Sequence, residues 1–197
     1  LVSFFKKEAS KQLNTTIDTK IKVSFWKTFP NVSIEMQHPV VLDAVKGSQD
    51  TLLVAEELYL SFDILKLLKN EFVINEIQLE DGQLYLKVDE NGSNNYTILK
   101  PNKEKKSNTS LSLALDKVTL KNVGVHYINQ SVLNNHNVQV HDAEADLILN
   151  DSLVQISLVG GMYVNHIRIN KNDYIFNKEL KIDVGCNYNF GPKQFHL

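Results

Sequence analysis

The sequence predicts a mainly β protein of the α+β kind. We expect a long curved antiparallel sheet forming an open groove or half-barrel, with an N-terminal amphipathic helix and a short helical turn near 63–70. Three observations carry this. First, apolar residues alternate through INEIQLEDGQLYLKVDENGSNNYTIL (74–99), with Ile77 and Leu79, then Leu84, Leu86 and Val88. Such alternation sets one side of a sheet against oil and the other against water. Second, the pattern returns 41 positions later: Ile74, Ile77, Leu79, Asp81, Leu84 and Leu86 have counterparts in Leu115, Val118, Leu120, Asn122, Val125 and Tyr127. Third, the links between strands are Asn-rich and mostly of hairpin length. Parallel crossovers need longer links, so an antiparallel sheet built by accretion is expected.

The elements follow in order. Val2, Phe5, Ala9 and Leu13 recur at helical spacing, with Lys6, Lys7, Glu8 and Lys11 off that stripe, so residues 1–14 read as an amphipathic helix. From Thr16 the period becomes two: Ile17, Ile21, Val23 and Phe25 lead to a break at Phe29-Pro30. Val32, Ile34 and Met36 form a strand ending near His38-Pro39, and Leu52 to Phe62 another. Asp63 is a candidate cap for a helical turn over Ile64 to Leu68. Asp81-Gly82 reads as a hairpin turn and Asn91-Gly92 as a second tight turn. Lys100 to Ser110, with Pro101 and four lysines, reads as a mobile, solvated loop. Strands resume over Leu111–Leu120, Val123–Ile128, Val138–Leu149, Val154–Val159, Val164–Ile169 and Tyr174–Cys186, with Gly160-Gly161 as a turn.

At 197 residues the chain can bury a sizeable core, and we read residues 1–197 as one β-groove domain. A net charge of -2 gives no electrostatic case for nucleic acid, and Arg168 is the sole arginine. The single Cys186 excludes an internal disulfide and a cysteine-based metal site. No apolar run reaches the length of a membrane span and no signal peptide is visible. The chain opens at Leu1 without an initiator methionine, and we expect a fragment of a longer protein.

Catalytic and metal signatures are not found in the sequence. Glu56-Glu57, Glu80-Asp81 and Asp89-Glu90 are strand neighbours that point to opposite faces, so none is a ready acid/base pair. His38, His126, His136, His141, His166 and His196 lack metal-site spacing; His136 and His141 could approach each other across a turn, but the surface reading outweighs a metal site. Ser131, Ser152 and Ser157 have no nucleophile elbow, and Gly160-Gly161 no phosphate-loop context. Asn-X-Ser/Thr triplets, among them those at Asn14, Asn31, Asn95, Asn108 and Asn129, matter only in a secreted eukaryotic protein. We therefore expect no enzyme and no cofactor.

What remains is the apolar face. Its expected lining is Val23, Phe25, Ile34, Leu58, Leu60, Leu79, Leu84, Leu86, Leu113, Val125 and Leu147. Two readings stay open: an ordinary core closed by a second layer, making a scaffold or interaction module that works through its edge strands, or a groove open to phospholipid acyl chains. At about 0.8 kcal/mol per buried methylene, a sixteen-carbon tail would gain on the order of 10 kcal/mol without polar contacts.

The order of the pieces resembles the N-terminal region of the bacterial AsmA-like family. The pieces are the opening helix, the strand ending in Phe29-Pro30, the Val32-Ile34 strand, Val54 to Phe62, the turn Ile64 to Leu68, and Ile74 to Leu79. Last comes Asp89 to Tyr96, similar to the family's acidic-Gly-x-x-Asn-aromatic segment, with Asn95 and Tyr96 in the Asn-aromatic places. The match covers about residues 1 to 100. The resemblance implies an inner-membrane anchor upstream of this chain, a body in the periplasm and a role in phospholipid transfer or outer-membrane biogenesis. It supplies no catalytic residues. Edge strands would pair with missing sequence or with another chain.

Overall fold

The computed structural model describes residues 3, 15, 17–24, 32–45, 47–69, 72–98, 111–149 and 153–189. The chain runs β1 (Ile17–Ser24), β2 (Val32–Leu42), β3 (Thr51–Phe62), α1 (Ile64–Leu68), β4 (Phe72–Val88), β5 (Leu111–Asn129), β6 (Asn134–Leu149), β7 (Leu153–Ile169) and β8 (Asn172–Asn189). All eight strands lie in one sheet in sequence order, and β1 and β8 do not pair, so the sheet is open. The helix expected over 1–14, the Phe29-Pro30 break and the loop over 100–110 lie outside the described residues, Ser3 apart.

The sheet is mixed, which corrects the antiparallel expectation. Six of its seven pairings are antiparallel, but β4 and β5 run parallel. The physical reason is the length of residues 89–110, which can carry the chain back to the start of the sheet where a hairpin cannot. The 41-residue repeat is now explained. Ile77 pairs with Val118, Leu79 with Leu120, Leu84 with Val125 and Leu86 with Tyr127, so equivalent repeat positions lie side by side.

Asp81-Gly82 is not a hairpin. Residue Asp81 adopts a left-handed φ of 51° inside a continuous β4, and its repeat partner Asn122 does the same, with φ 51°, inside a continuous β5. His38, with φ 48°, kinks β2 without ending it. Gly160-Gly161 likewise lies within a continuous β7 rather than at a turn. The Asn91-Gly92 turn is present: Gly92 has φ +83° and its N–H donates to Asp89 O at 3.1 Å.

The kinks line up into a crease crossing the sheet. His38 faces Glu56, Asp81 faces Asn122, and an extra residue at His141 ends the crease between β6 and β7. Each inserted residue flips side-chain parity, so the apolar set moves from Ile77 and Leu79 to Leu84 and Leu86 while staying on one face. The α1 turn forms as expected. Asp63 Oδ1 accepts from Leu65 N at 2.7 Å and Lys66 N at 3.1 Å, and caps the turn.

The core lies over β2–β4, where Ile34, Met36, Leu58, Leu60, Phe62, Ile74 and Leu79 are buried. There the opposite face is buried too, at Ser33, Tyr59 and Ser61; Ser33 Oγ and Ser61 Oγ, cross-strand partners, lie 3.2 Å apart. Further along, the segment after β4 folds back. Asn95, buried, accepts from Lys87 N (2.8 Å) through Oδ1 and donates through Nδ2 to Tyr85 O (2.9 Å). It thereby satisfies the part of β4 that extends beyond the start of β3.

Candidate functional site

Pairing register places the apolar residues in unbroken rows. One row reads Val23, Ile34, Leu60, Ile77, Val118, Ala145, Leu158, Val184, one residue from each strand. The next reads Ile21, Met36, Leu58, Leu79, Leu120, Ala143, Gly160, Ile182. Across the crease, Val41, Leu53, Leu84, Val125, Val138 and Val164 continue the face. The row lying between the first two on the pleat is polar: Lys22, Glu35, Tyr59, Gln78, Thr119, Glu144, Val159, Asp183. Paired residues point to the same side, so one face is apolar across all eight strands.

Of the expected lining residues, Val23, Ile34, Leu58, Leu60, Leu79, Leu84, Leu86, Val125 and Leu147 share this face. Leu113 pairs with Ile74 through its backbone, and Phe25 lies outside the described residues. Burial along the face is uneven. Ile34 and Met36 are fully covered, Leu84, Leu86, Val125, Leu147 and Leu158 are half-buried, and Ile156 and Val184 are 37% and 54% exposed. The face is thus covered over β2–β3 and, beside the crease, at Val123, Val140 and Val164, and is accessible toward β8.

The titratable groups on the polar face bind one another. Glu80 meets Lys121 at 3.1 Å, Lys117 meets Glu144 at 2.7 Å, and His38 Nδ1 lies 2.8 Å from Glu56 Oε2. The hydrogen bond from Lys117 to Glu144 raises the ammonium above its ordinary value. Tyr59 donates to Glu57. At the β7–β8 turn, Arg168 grips Asp173 with two bonds, of 2.8 and 3.2 Å, and this holds the carboxyl below the usual carboxylate range. His136 and His141 do not meet. His136 stacks on Tyr127 with ring centres 5.4 Å apart, and His141 Nε2 contacts Glu179 at 3.0 Å. Among the described residues no group of three His, Cys, Asp or Glu could hold a metal ion.

A shallow cleft of about 480 Å³ sits at the crease, lined by Val54, Ala55, Glu56, Asp81, Gly82, Gln83, Asn122 and Gln139. Its polar atoms form a relay, Gln139 Nε2 donating to Asn122 Oδ1 (3.0 Å) and Asn122 Nδ2 to Asp81 Oδ1 (2.6 Å). The sequence does not reveal this relay, because Asp81-Gly82 reads as a hairpin turn and residues 121–122 fall between two expected strands. The available signal was the parity switch of the apolar residues in each of the strands concerned. Asn95, which stands in the Asn-aromatic place of the sequence pattern, closes the β4 edge.

No helix among the described residues is long and apolar enough to cross a membrane. No family model matches the chain, and no curated protein matches it.

Proposed function

We propose that this chain is a non-enzymatic cell-envelope protein that holds phospholipid acyl chains against its apolar face and takes part in moving them between membranes. The observation that carries the reading is the set of apolar rows spanning every strand of an open sheet, with half-buried side chains from β5 to β8. A face of this kind binds by area, is indifferent to headgroup, and needs no specific polar contact. The order of sequence pieces resembling the AsmA-like family supports the same reading, with an anchor in the bacterial inner membrane and the body in the periplasm. The curvature that would make the sheet a groove or half-barrel belongs to this proposal. So does the membrane anchor, which would lie upstream of Leu1.

The rival reading, a closed scaffold, is favoured at one end only. Over β2–β3 both faces are buried, as a two-sided core requires. Over β6–β8 burial reaches Val140, Ala143 and Val164 on one face only, and no described residue of β8 is buried.

Native mass spectrometry after incubation with phosphatidylethanolamine and phosphatidylglycerol vesicles tests the proposal. Bound phospholipid in defined stoichiometry is expected for the wild-type chain. Replacing the cross-strand partners Leu147 and Ile156 with Asp should remove it, and because Ile156 is 37% exposed the sheet should keep its circular dichroism spectrum. A chain that stays lipid-free, or a double variant that carries as much lipid as wild type, overturns the assignment.

A further inference from the structure

Among the described residues β8 is the longer of the sheet's two edge strands. It pairs with β7 along its whole length, and among the described residues no strand lies beyond it. Half of its backbone N–H and C=O groups therefore point outward, which makes it a template for another strand. Proteins blunt such edges with charge. Here the charges alternate in sign, Lys178, Glu179, Lys181, Asp183, and neither Lys181 nor Asp183 has an ion-pair partner among the described residues.

We propose that β8 pairs with β8 of a second copy of this chain, antiparallel and centred on Ile182. An antiparallel self-pair keeps both faces matched only when it is centred on a residue, because paired side chains share a face. Four such centres can be compared. Centring on Lys181 sets Lys181 against itself and Glu179 against Asp183 of the other copy, like against like. Centring on Asp183 sets that carboxylate against its own copy. Centring on Leu180 joins Glu179 to Lys181, but it carries the ladder into Asn177, whose φ of 49° kinks the strand.

Centring on Ile182 avoids all three faults. Lys181 faces Asp183 of the other copy twice, and Leu180 faces Val184 twice on the apolar side. Ile182 faces itself, and Gly185 receives Glu179. The ladder runs over residues 178–186, where no non-glycine residue has a positive φ, and extends roughly 30 Å at about 3.3 Å per residue. The twofold axis is perpendicular to the sheet, so the apolar faces of both copies lie on the same side. The row ending at Ile182 then continues into the Ile182 row of the second copy. Val184, 54% exposed, gains a neighbour on its open side. The pairing does not depend on what the apolar face binds.

Charge exchange tests both the edge and the register. The wild-type chain should sediment with twice its monomer mass. Lys181→Asp sets two Asp–Asp contacts across the axis, and Asp183→Lys sets two Lys–Lys contacts. Each should weaken the dimer about tenfold or more, since two attractive cross-strand pairs become repulsive. The double variant Lys181→Asp/Asp183→Lys should restore wild-type dimerisation, which the Leu180-centred register would not do. Both side chains are exposed, so circular dichroism should stay unchanged in all variants. In a Cys186→Ser background, oxidation of Ile182→Cys should give a covalent dimer and Leu180→Cys should not. A wild-type chain that is monomeric at the highest concentration reached overturns the proposal, as does a dimer indifferent to either single substitution. Failure of the double variant to recover overturns the register.

Discussion

Asn122 bears a conformation that most side chains resist. At φ 51° in the middle of β5 it lies in the left-handed region, which costs an ordinary L-residue about 1–2 kcal/mol. Asparagine tolerates it, and here the side chain is also used, donating to Asp81 and accepting from Gln139. Asn122→Ala should therefore lower stability by about 1–2 kcal/mol. Asn122→Gly, which loses the amide but not the backbone freedom, should cost less. Urea denaturation midpoints of the two variants check this, and equal losses would show that the relay rather than the backbone decides. The sequence does carry a signal here, because Asp-Gly is a strong marker of positive φ. What it does not carry is the number of residues that adopt it. Two in succession reverse the chain, whereas one alone, as at Asp81, only kinks it.

The same limit operates at the level of strands. The repeat of 41 residues, the capped turn at Ile64–Leu68 and the apolar face are all legible, because each rests on local periodicity or a local cap. The parallel step between β4 and β5 is not. It depends on where residues 89–110 deliver the chain, and alternation is the same for parallel and antiparallel neighbours. Strand continuity through Gly160-Gly161 was also hidden, since a glycine pair marks a turn or a close approach with equal force. The structure separates the two glycines. A Cβ at Gly160 would lie 2.5 Å from Asp142 O and 2.7 Å from Ala143 Cβ, whereas one at Gly161 would meet nothing within 4 Å. Gly160 thus lets β7 approach β6 at the bulge. Gly160→Ala should destabilise the protein by about 1–3 kcal/mol, because backbone must shift to make room. Gly161→Ala should be neutral or stabilising by up to about 1 kcal/mol through reduced freedom of the unfolded chain. Thermal melts of the two variants check this, and a reversed order would show that β7 does not need its close approach to β6 at Gly160.

Across the whole molecule, packing between strands is almost entirely between sequence neighbours, as in a repeat array. Stability in such an arrangement is a sum of neighbour terms and need not be uniform. The terms are largest over β2–β4, where the core lies and β2 and β3 are buried on both faces, and smaller at the edge strand β8, which exposes Tyr174, Phe176 and Val184. Native-state hydrogen exchange should therefore follow position in the sheet. Amides of β3 and β4 should exchange slowest, through global unfolding, and those of the edge strand β8 faster, through local opening. Self-association through β8 adds a concentration dependence confined to that end. Amides of residues 178–186 should gain protection as the protein is concentrated, while those of β3 and β4 hold theirs. Uniform protection along the sheet would mean that the accessible half is as firmly covered as the buried half, and the apolar rows would then be a core rather than a binding face.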